Sequence, residues 1–408
     1  YKDVDCFSIG RDPGAKWLRK MGFVLRYGLP NPSVLLNRFV NQRSVLGLDQ
    51  QLADISGLAP GFFKGKIFHI EHHRSHLASA FFASPFEESA CLSIDGSGDF
   101  STTMTAFGKG VDLNILDSLD FPHSLGFFYT ALTQWLGFPN YGDEYKVMGL
   151  APYGKSDHLR KLDEVIELSD DGFFRLDQSF FKNPATGYIT YGKDNIPRMP
   201  VIFSKKLEDL LGPSRKPGEV LSSYHKDIAA SVQSKTEEVI FHILRHLHTQ
   251  TGCENICIAG GVAQNSVANG KITRNTPFKN VYIPSAGHDA GISIGAALYT
   301  SHSLKAISRK AAIDSAYLGS KYSSDEILEC VKAEGLEYEI MEWDVLMNFV
   351  SDALAAGAVV GWMQGRAEFG PRALGGRSIL ADPRRADAKE LLNEKIKTAF
   401  GLNMNYIF

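Results

Sequence analysis

Two strand–loop–helix units follow one another between residues 255 and 298 of this 408-residue chain, and they limit its fold more than any other feature. Asn255–Ala259 is a short apolar run that leads through two glycines into a helical segment. Val281–Ile283 leads through a loop that ends at Asp289 into the small-residue segment Ala290–Leu298. Alternating strands and helices predict an α/β fold in which ligands bind at the carboxyl ends of the strands.

Segments on either side extend this pattern. Ile67–Ile70 is predicted to form a short strand, and His72–Ala83 the helix that follows it. Ala90–Asp95 and Ser101–Phe107 are apolar or alternating and flank a glycine turn, which is typical of a β-hairpin. Apolar residues recur at three-, four- and seven-residue steps over Tyr224–Thr249, which predicts one long amphipathic helix.

Residues 1–300 are predicted to form the first of two domains. Within it, residues 1–65 are rich in Gly, Pro and Asn and are expected to be mostly loop after a short apolar start. Residues of about 157–217 are polar and are expected to be an insertion or lid. Because the sequence lacks an initial methionine and stops soon after a strongly patterned segment, we expect it to be part of a longer protein.

Residues 301–316 are predicted to be a linker, and residues 317–408 a second domain that is incomplete as it stands. A helix is predicted from about Ser324 and another over Val345–Ala356. A strand is predicted over Ala358–Met363.

Composition argues against several classes of partner. The formal net charge is -3, so the chain as a whole does not favour nucleic acid or a membrane as a partner. Its longest apolar stretch near the C-terminus, Ala353–Met363, is shorter than the roughly 20 residues of a transmembrane helix. The first residues show no signal-peptide pattern, so we expect a cytoplasmic protein. The five cysteines lack zinc-ribbon spacing and are predicted to be buried, reduced thiols.

The most specific chemical pattern is a pair of histidines. His72 and His76 are four residues apart, so on a helix they lie on one face and could chelate one divalent cation. His73 stands where a zinc protease of the HExxH type carries glutamate, which excludes that class. Asp95 and Asp289 follow predicted strands, and two imidazoles with two carboxylates suit iron, manganese or zinc better than calcium.

The spacing alone leaves the metal assignment undecided. A lone pair of this kind is often a helix surface or a hydrogen-bonded core pair. His242 and His246 have the same spacing in the last turns of the long helix, where the helix dipole favours cationic histidine without a metal.

Two glycine-rich segments could bind a nucleotide. Gly96 and Gly98 lie in the predicted hairpin turn, whose backbone N–H groups could hold a phosphate, although any hairpin can carry such a turn. Gly260 and Gly261 separate a strand from a helix and permit close approach of a nucleotide, with Asn265 able to bind a base or ribose. A simple tight turn is the alternative there.

Two further segments carry charged side chains between glycines. Residues 142–150 are predicted to be a functional loop in which Lys146 compensates phosphate charge, unless it is an ordinary surface lysine. Residues 365–378 form a glycine-rich loop after a strand, and its guanidinium groups match phosphate or carboxylate. An exposed, salt-bridged loop is the alternative. The arginines concerned are Arg366, Arg372 and Arg377.

Taken together, these motifs resemble the O-carbamoyltransferases typified by nodulation protein U and by the cephem and tobramycin carbamoyltransferases. The resemblance runs from about Lys66 to Lys397, and the set is far more specific than any single member. The matching stretches are Glu71–Phe82, Asp95–Asp99, Gly142–Gly154, Ala259–Ile272, His288–Leu298 and Gly365–Pro383.

The resemblance implies a fold and a reaction. Residues 1–300 would have the actin-like ATPase (ASKHA) fold of the tRNA threonylcarbamoyl transferase, and residues 317–408 would be a YrdC-like domain. Carbamoyl phosphate and ATP would give carbamoyl-adenylate in the second domain. The carbamoyl group would then pass to a hydroxyl of a small-molecule natural product.

The resemblance also assigns roles to residues. The metal ligands would be His72, His76, Asp95 and Asp289, acting as the catalytic centre with iron(II), or with manganese, zinc or magnesium instead. Gly260, Gly261 and Asn265 would hold the adenylate, and Glu144 and Lys146 would lie close to it. Gly96 and Gly98 are the further candidates for cofactor binding. The residues that would face carbamoyl phosphate or ATP are Arg366, Arg372 and Arg377.

Three alternatives stay open. A hydrogenase-maturation carbamoyltransferase shares both domains but carries CxxC pairs, which this chain lacks. The tRNA threonylcarbamoyl transferase lacks the arginine loop, and the third alternative is a non-catalytic sensor of nucleotide and metal. The sequence does not reveal the acceptor, and a symmetric homodimer is the base-rate expectation.

Overall fold

The computed structural model describes residues 2–191, 197–309 and 311–388. The chain divides into two compact units, Tyr1–Ile313 and Asp314–Phe408. Residues 192–196 of the predicted insertion and residues 389–408 of the predicted second domain lie outside the described residues.

The first unit, unit 1, contains most of the helices and strands. Its helices are α1 (Trp17–Tyr27), α2 (Pro32–Leu46), α3 (Leu48–Ser56), α4 (His72–Phe81), α5 (Leu125–Trp135), α6 (Glu144–Leu150), α7 (Leu159–Leu162), α8 (Lys205–Leu211), α9 (Ser223–Thr251), α10 (Ser266–Asn269), α11 (Ile272–Asn275) and α12 (Ile292–Tyr299). Its strands are β1 (Phe7–Ile9), β2 (Ile67–His69), β3 (Glu88–Gly98), β4 (Ser101–Lys109), β5 (Asp112–Asp120), β6 (Ile166–Leu168), β7 (Phe174–Leu176), β8 (Thr190–Tyr191), β9 (Pro197–Arg198), β10 (Asn255–Ala259) and β11 (Asn280–Tyr282).

A mixed five-stranded sheet lies at the centre of unit 1, in the order β11-β10-β3-β4-β5. Strands β11, β10 and β3 are parallel, and β3, β4 and β5 are antiparallel. Strands β1 and β2 form a separate parallel pair. The predicted α/β class, the hairpin, the strand–loop–helix units and the long helix are therefore confirmed.

Side chains alternate between the two faces of this sheet, as the twofold period of a strand requires. Leu92 and Ile94 of β3 pack into the larger hydrophobic core, which also contains residues of α5 and α9. Cys91, which precedes Leu92 in the sequence, packs into a second core with residues of α4. Helices thus cover both faces of the sheet. Helix α4, which carries the candidate histidines, packs on the face to which Cys91 points.

The prediction that residues 1–65 are mostly loop is wrong, because α1, α2 and α3 occupy much of this segment. The Gly and Pro residues that suggested loop stand at helix ends. Gly28 follows α1, Pro32 begins α2, Gly47 separates α2 from α3, and Gly57 ends α3 in the left-handed region. Glycine and proline are common at helix ends, so here they mark where helices begin and end and do not indicate loops.

Residues of about 157–217, predicted to be an insertion or lid, contribute apolar side chains to the core of unit 1. Phe174 and Phe180 are buried in the larger core of unit 1, together with Leu207 and Leu211 of α8. In the sequence these apolar residues are separated by polar ones, so the pattern did not indicate that they belong to the core.

The second unit, unit 2, contains α13 (Ser324–Ala333), α14 (Trp343–Ala355) and the antiparallel pair β12 (Val360–Met363) and β13 (Arg377–Leu380). The helices and the strand predicted here are confirmed. Cys330 on α13 is exposed, so the prediction that all cysteines are buried is wrong, whereas Cys91, Cys253 and Cys257 are buried free thiols. Among the described residues, no helix is both long and apolar enough to cross a membrane.

Candidate metal centre

Three segments of unit 1 meet at the carboxyl edge of its parallel strands. Asp95 follows the last regular pair of β3 with β4, which is formed by Ile94. Gly260 follows β10, and its N–H donates to the carbonyl of Gly287 in the loop after β11 at 2.7 Å. That loop leads to Asp289, which begins the 3-10 turn Asp289–Gly291 just before α12. The parallel strand order therefore brings residues that are far apart in the sequence to one edge.

Acidic residues fix the N-terminus of α4 at the same edge. The Glu71 carboxylate accepts a hydrogen bond from the Arg74 N–H at 2.7 Å and caps the helix. The Asp99 carboxylate accepts from the N–H of His72 at 3.0 Å and from the N–H of Asp12 at 2.7 Å. These bonds satisfy helix N–H groups that have no partner within the helix. They set the position of His72.

His73 anchors α4 in the core. Its Nδ1 lies 2.8 Å from the Ser93 hydroxyl and its Nε2 lies 3.1 Å from the Ser101 carbonyl. Burial lowers the pKa of His73 well below its usual value of 6.5, so the ring is neutral. Both ring nitrogens are used, which leaves His72 and His76 as the histidines that face the edge.

The structure brings all four predicted metal ligands together. His72 Nε2 and His76 Nε2 are 3.1 Å apart, and His76 Nε2 is 3.1 Å from Asp95 Oδ2. Asp289 Oδ1 lies 3.6 Å from His72 Nε2 and 3.4 Å from His76 Nε2. One donor atom from each of the four lies within 4.8 Å of the others.

These separations fit a single divalent cation. Bonds of roughly 2.1 Å from a transition metal to nitrogen or oxygen place neighbouring ligands about 3.0 to 3.4 Å apart. Two imidazoles and two carboxylates are the donor set that iron, manganese and zinc accept. The His76 side chain is fully buried, whereas the Asp289 side chain is 60% exposed, so the cluster opens to solvent on the side of Asp289.

The charges of the cluster are tightly linked. Burial alone would lower the pKa of His76, but hydrogen bonds with Asp289 and Asp95 outweigh it and raise the pKa to about 9. Burial would raise the pKa of Asp95, but its bonds with His72 and His76 hold that pKa well below its usual value. The two carboxylates therefore favour positive charge beside the imidazoles, as they would favour a bound cation. The buried Nδ1 of His76 has no hydrogen-bond partner among the described residues.

Gly98 is required by its distance from His72. A Cβ atom at Gly98 would lie 2.0 Å from His72 Cδ2, whereas one at Gly96 would meet only the Phe127 ring at 3.7 Å. The sequence had suggested that glycines form the hairpin turn. In the structure, the turn residues with positive φ are Asp99 and Phe100. Gly98 therefore leaves room for the His72 ring, which is a candidate metal ligand.

Gly260 and Gly261 lie against β3. A Cβ at Gly260 would be 2.2 Å from the Ile94 carbonyl oxygen, and φ there is +102°. A Cβ at Gly261 would be 2.7 Å from Asp95 Oδ1. The glycines therefore let the loop after β10 approach the strand that carries Asp95.

Asn265 belongs to a buried polar network. Its amide and that of Gln233 exchange two hydrogen bonds of 2.9 Å, and its Oδ1 also accepts from the Ala268 N–H. Gln233 donates to Glu237 at 2.9 Å, and the Glu237 carboxylate accepts from Lys271 at 2.7 Å. Sequence reasoning missed this network. Its signal was the pair of polar residues, four apart, that interrupts the apolar face of α9.

Residues 142–150 are mostly helix, so the prediction of a loop is wrong, whereas a functional role for the segment stays a prediction. Glu144 begins α6, and its carboxylate accepts from the Thr130 hydroxyl at 2.5 Å. Burial raises the pKa of Glu144. Lys146 Nζ lies 2.6 Å from the buried Asp143 carboxylate, so its charge is balanced within the helix. A seven-residue helix between glycines was too short for its period to be seen.

The arginines of unit 2 make different contacts. Arg366 donates to the carbonyls of Gly319 and Leu318 at 3.0 and 3.3 Å. Arg377 Nε donates to Glu368 at 3.0 Å. Burial lowers the pKa of Arg372. The structure therefore places Arg366 and Arg377 in contacts that shape the loop.

Glu368 organises this loop and was missed as a site residue. Its side chain is fully buried, and its Oε1 accepts from the N–H groups of Leu374 and Gly376, each at 2.7 Å. Oε2 accepts from Arg377. One carboxylate thus holds both strands of the turn together.

The second histidine pair lies elsewhere in unit 1. His242 Nε2 is 3.0 Å from the Ser169 carbonyl. The His246 ring packs so closely on Gly172 that a Cβ there would lie 2.2 Å from the ring. Both rings are used in packing α9 against the hairpin of β6 and β7.

Comparison with known proteins gives one consistent result. A family model described as carbamoyltransferase N-terminus matches residues 39–298, and one described as carbamoyltransferase C-terminus matches residues 351–400. The chain is 43% identical over 335 residues to the uncharacterised protein sll1178 of Synechocystis sp., covering 80% of this chain and 52% of that protein. It is 38% identical over 345 residues to nodulation protein NolNO of Sinorhizobium fredii, covering 82% and 46%.

A third relative, nodulation protein NolO of Bradyrhizobium diazoefficiens, is 37% identical over 330 residues, covering 80% of this chain and 56% of that protein. The chain therefore spans about half the length of the curated relatives that it matches. Among solved structures, HypF of T. kodakarensis is 16% identical with a TM-score of 0.33, covering 64% of this chain and 39% of that one. That similarity is too low to support an argument about the fold.

Proposed function

The chain belongs to the carbamoyltransferase family, and from that premise we propose that it is the core of an ATP-dependent O-carbamoyltransferase. In the first step, carbamoyl phosphate, ATP and water give carbamoyl-adenylate, phosphate and pyrophosphate. In the second, a hydroxyl oxygen of a small-molecule acceptor bonds to the carbamoyl carbon, the bond to AMP breaks, and the hydroxyl proton is lost. The class of the acceptor is part of this proposal.

The observation that carries this proposal is the cluster of two imidazoles and two carboxylates at the carboxyl edge of the parallel strands. We propose that His72, His76, Asp95 and Asp289 hold one divalent metal, with iron(II) first and manganese, zinc or magnesium as alternatives. When bound, such a metal acts as a Lewis acid on a carbonyl or a hydroxyl. The exposed side of the cluster, at Asp289, is where an acceptor hydroxyl would reach it.

The rest of the edge would bind the adenylate. Gly261 lies against Asp95 and Gly260 against Ile94, so a nucleotide could approach this backbone without side chains in the way. The N–H groups of Gly96 and Gly260 donate to the Asp95 carboxylate and to the Gly287 carbonyl, so these glycines would contribute through close approach. Asn265 would act through the Gln233 network by holding the loop after β10 in place. Glu144 and Lys146 would lie at the margin of this pocket.

We assign adenylate formation to unit 2. Arg372 would contact phosphate groups of carbamoyl phosphate or ATP, while Arg366 and Arg377 would hold the loop that presents it. An actin-like fold for residues 1–300, a YrdC-like domain at 317–408, a cytoplasmic location and a homodimer complete the proposal. Nucleic acid is not a partner in it.

The test is ATP–pyrophosphate exchange that depends on carbamoyl phosphate. The protein is expected to exchange labelled pyrophosphate into ATP only when carbamoyl phosphate is present, and to add a carbamoyl mass to a hydroxylated sugar, antibiotic or toxin. A sensor of nucleotide and metal would bind ATP without exchange. Binding without exchange would therefore overturn the enzymatic proposal.

A further inference from the structure

One face of α1 is apolar and exposed. Phe23 docks this helix on unit 1, with ring centroids 5.6 Å from Phe100 and 5.4 Å from Phe121. On the opposite face, steps of one, three and four residues join four exposed apolar side chains into one stripe. They are Trp17, Leu18, Met21 and Leu25, and Leu25 is 86% exposed.

A second exposed stripe runs along α2. Val34 faces inward, since a Cβ at Gly187 would come within 3.3 Å of it. The exposed apolar residues lie on the other side of the helix, again at steps of one and four. They are Leu35, Leu36, Phe39 and Val40, with Leu46 at the end of the helix. A soluble protein rarely exposes contiguous apolar side chains on neighbouring helices unless they bind something.

The charge of this segment is unlike that of the whole chain. The formal net charge of the chain is -3, yet between Pro13 and Leu48 there is no acidic residue. The basic residues in that interval are Lys16, Arg19, Lys20, Arg26, Arg38 and Arg43. Lys16 and Arg19 pair with Asp120, so one acidic side chain from outside the segment offsets part of this charge. On a helical projection of α1, Lys20 and Arg26 border the apolar stripe on its two sides.

We propose that α1 and α2 form a peripheral binding surface for an anionic lipid bilayer. An apolar stripe with tryptophan and leucine, bordered by lysine and arginine, matches a helix that lies in the headgroup region. The basic residues would meet lipid phosphates there. This surface is independent of the proposed carbamoyl transfer. The composition of the whole chain had argued against a membrane partner, because a net charge of -3 conceals the local excess of basic residues.

Two other occupants fit the stripe less well. Nucleic acid would pair with the basic residues but would leave Leu18, Met21 and Leu25 in water. A second copy of this chain, related by a twofold axis, would bring basic segments without acidic residues against each other. The combination of exposed apolar area with an excess of basic over acidic residues in this segment favours a partner surface that is both apolar and anionic.

The experiment is sedimentation of the 408-residue chain with vesicles. One set contains phosphatidylcholine alone and the other equal parts of phosphatidylcholine and phosphatidylglycerol. The chain is expected to bind the anionic vesicles at least about tenfold more tightly, and salt is expected to weaken this binding. Leu25→Glu is expected to abolish it.

The matched control is Val220→Glu, because Val220 is 89% exposed and lies far from α1 in the sequence. It carries the same charge change and is expected to bind like the parent chain. Circular dichroism checks that both variants fold. Failure to bind anionic vesicles, equal binding to neutral vesicles, or equal loss in the two variants would overturn the proposal. So would a concentration-dependent dimer, dissolved by Leu25→Glu, that binds no vesicles.

Discussion

Replacing Gly98 by alanine tests the geometry of the candidate metal centre with one methyl group. An ideal Cβ at this position would lie 2.0 Å from His72 Cδ2 and 2.6 Å from His72 Nε2. Carbon atoms in contact are about 3.5 Å apart, so the imidazole must move by about 1.5 Å. Such a shift removes one of four ligands. We expect metal affinity to fall at least about 100-fold, which is about 2.7 kcal/mol.

Gly96→Ala is the matched control on the same strand. A Cβ there would meet the Phe127 ring at 3.7 Å, which is an ordinary contact. Competition with a chromophoric chelator for iron(II) and zinc would give the affinity of each variant, and thermal unfolding its stability. We expect Gly96→Ala to bind metal like the parent chain.

A second variant separates loss of the site from loss of the fold. His72→Ala combined with Gly98→Ala removes the ring that the new methyl group displaces, so it is expected to regain thermal stability without regaining metal affinity. Native affinity in Gly98→Ala would refute the reasoning, because the ring could then not be a ligand in the position described. An equal loss in Gly96→Ala would refute it too.

Further predictions concern each part of the account. His76→Ala is expected to abolish carbamoyl transfer while pyrophosphate exchange persists, and loss of both together would contradict the assignment of the two steps to separate sites. Arg372→Ala is expected to block exchange and leave metal content unchanged, and loss of metal would count against it. Glu368→Gln is expected to cost about 1 to 2 kcal/mol of stability in thermal unfolding, since a buried carboxylate loses charged hydrogen bonds, whereas an unchanged melting temperature would show that the loop does not depend on it. Burial lowers the pKa of His123 to about 4, from an ordinary value of 6.5. As pH falls from about 6.5 to about 4, His123 takes up a proton in the unfolded chain before it does so in the folded chain. The free energy of unfolding is therefore expected to fall over this pH interval, by about 1 to 2 kcal/mol after solvent screening. His123→Asn should remove this loss of stability at low pH in urea titrations. An unchanged pH dependence would contradict the lowered pKa of His123.

Local periodicity was enough to predict the main elements of this fold. The four-residue step of His72 and His76 predicted one helix face, and Asp95 and Asp289 were expected where strands end. Only the family resemblance joined the four as one ligand set. No spacing within the sequence could show that the four donor atoms come within 4.8 Å. That depends on how α4 packs between the sheet and α12.

Residues that act through tertiary contacts were missed. Asp99 holds the N-terminus of α4, and Glu368 holds the arginine loop, yet each is an ordinary acid in the sequence. Gln233 pairs with Asn265 across 32 positions of sequence. The apolar stripe of α1 was hidden because Gly and Pro at the helix ends suggested loop. In each case the partner is distant in the sequence, and the local pattern carries only half of the interaction.

Anomalous diffraction at the metal absorption edge tests the central claim most directly. Crystals of the protein grown with iron(II) under anaerobic conditions are expected to give one strong peak bonded to His72, His76, Asp95 and Asp289. A crystal structure with no peak among these side chains, or with the imidazoles turned away from the two carboxylates, would contradict the account.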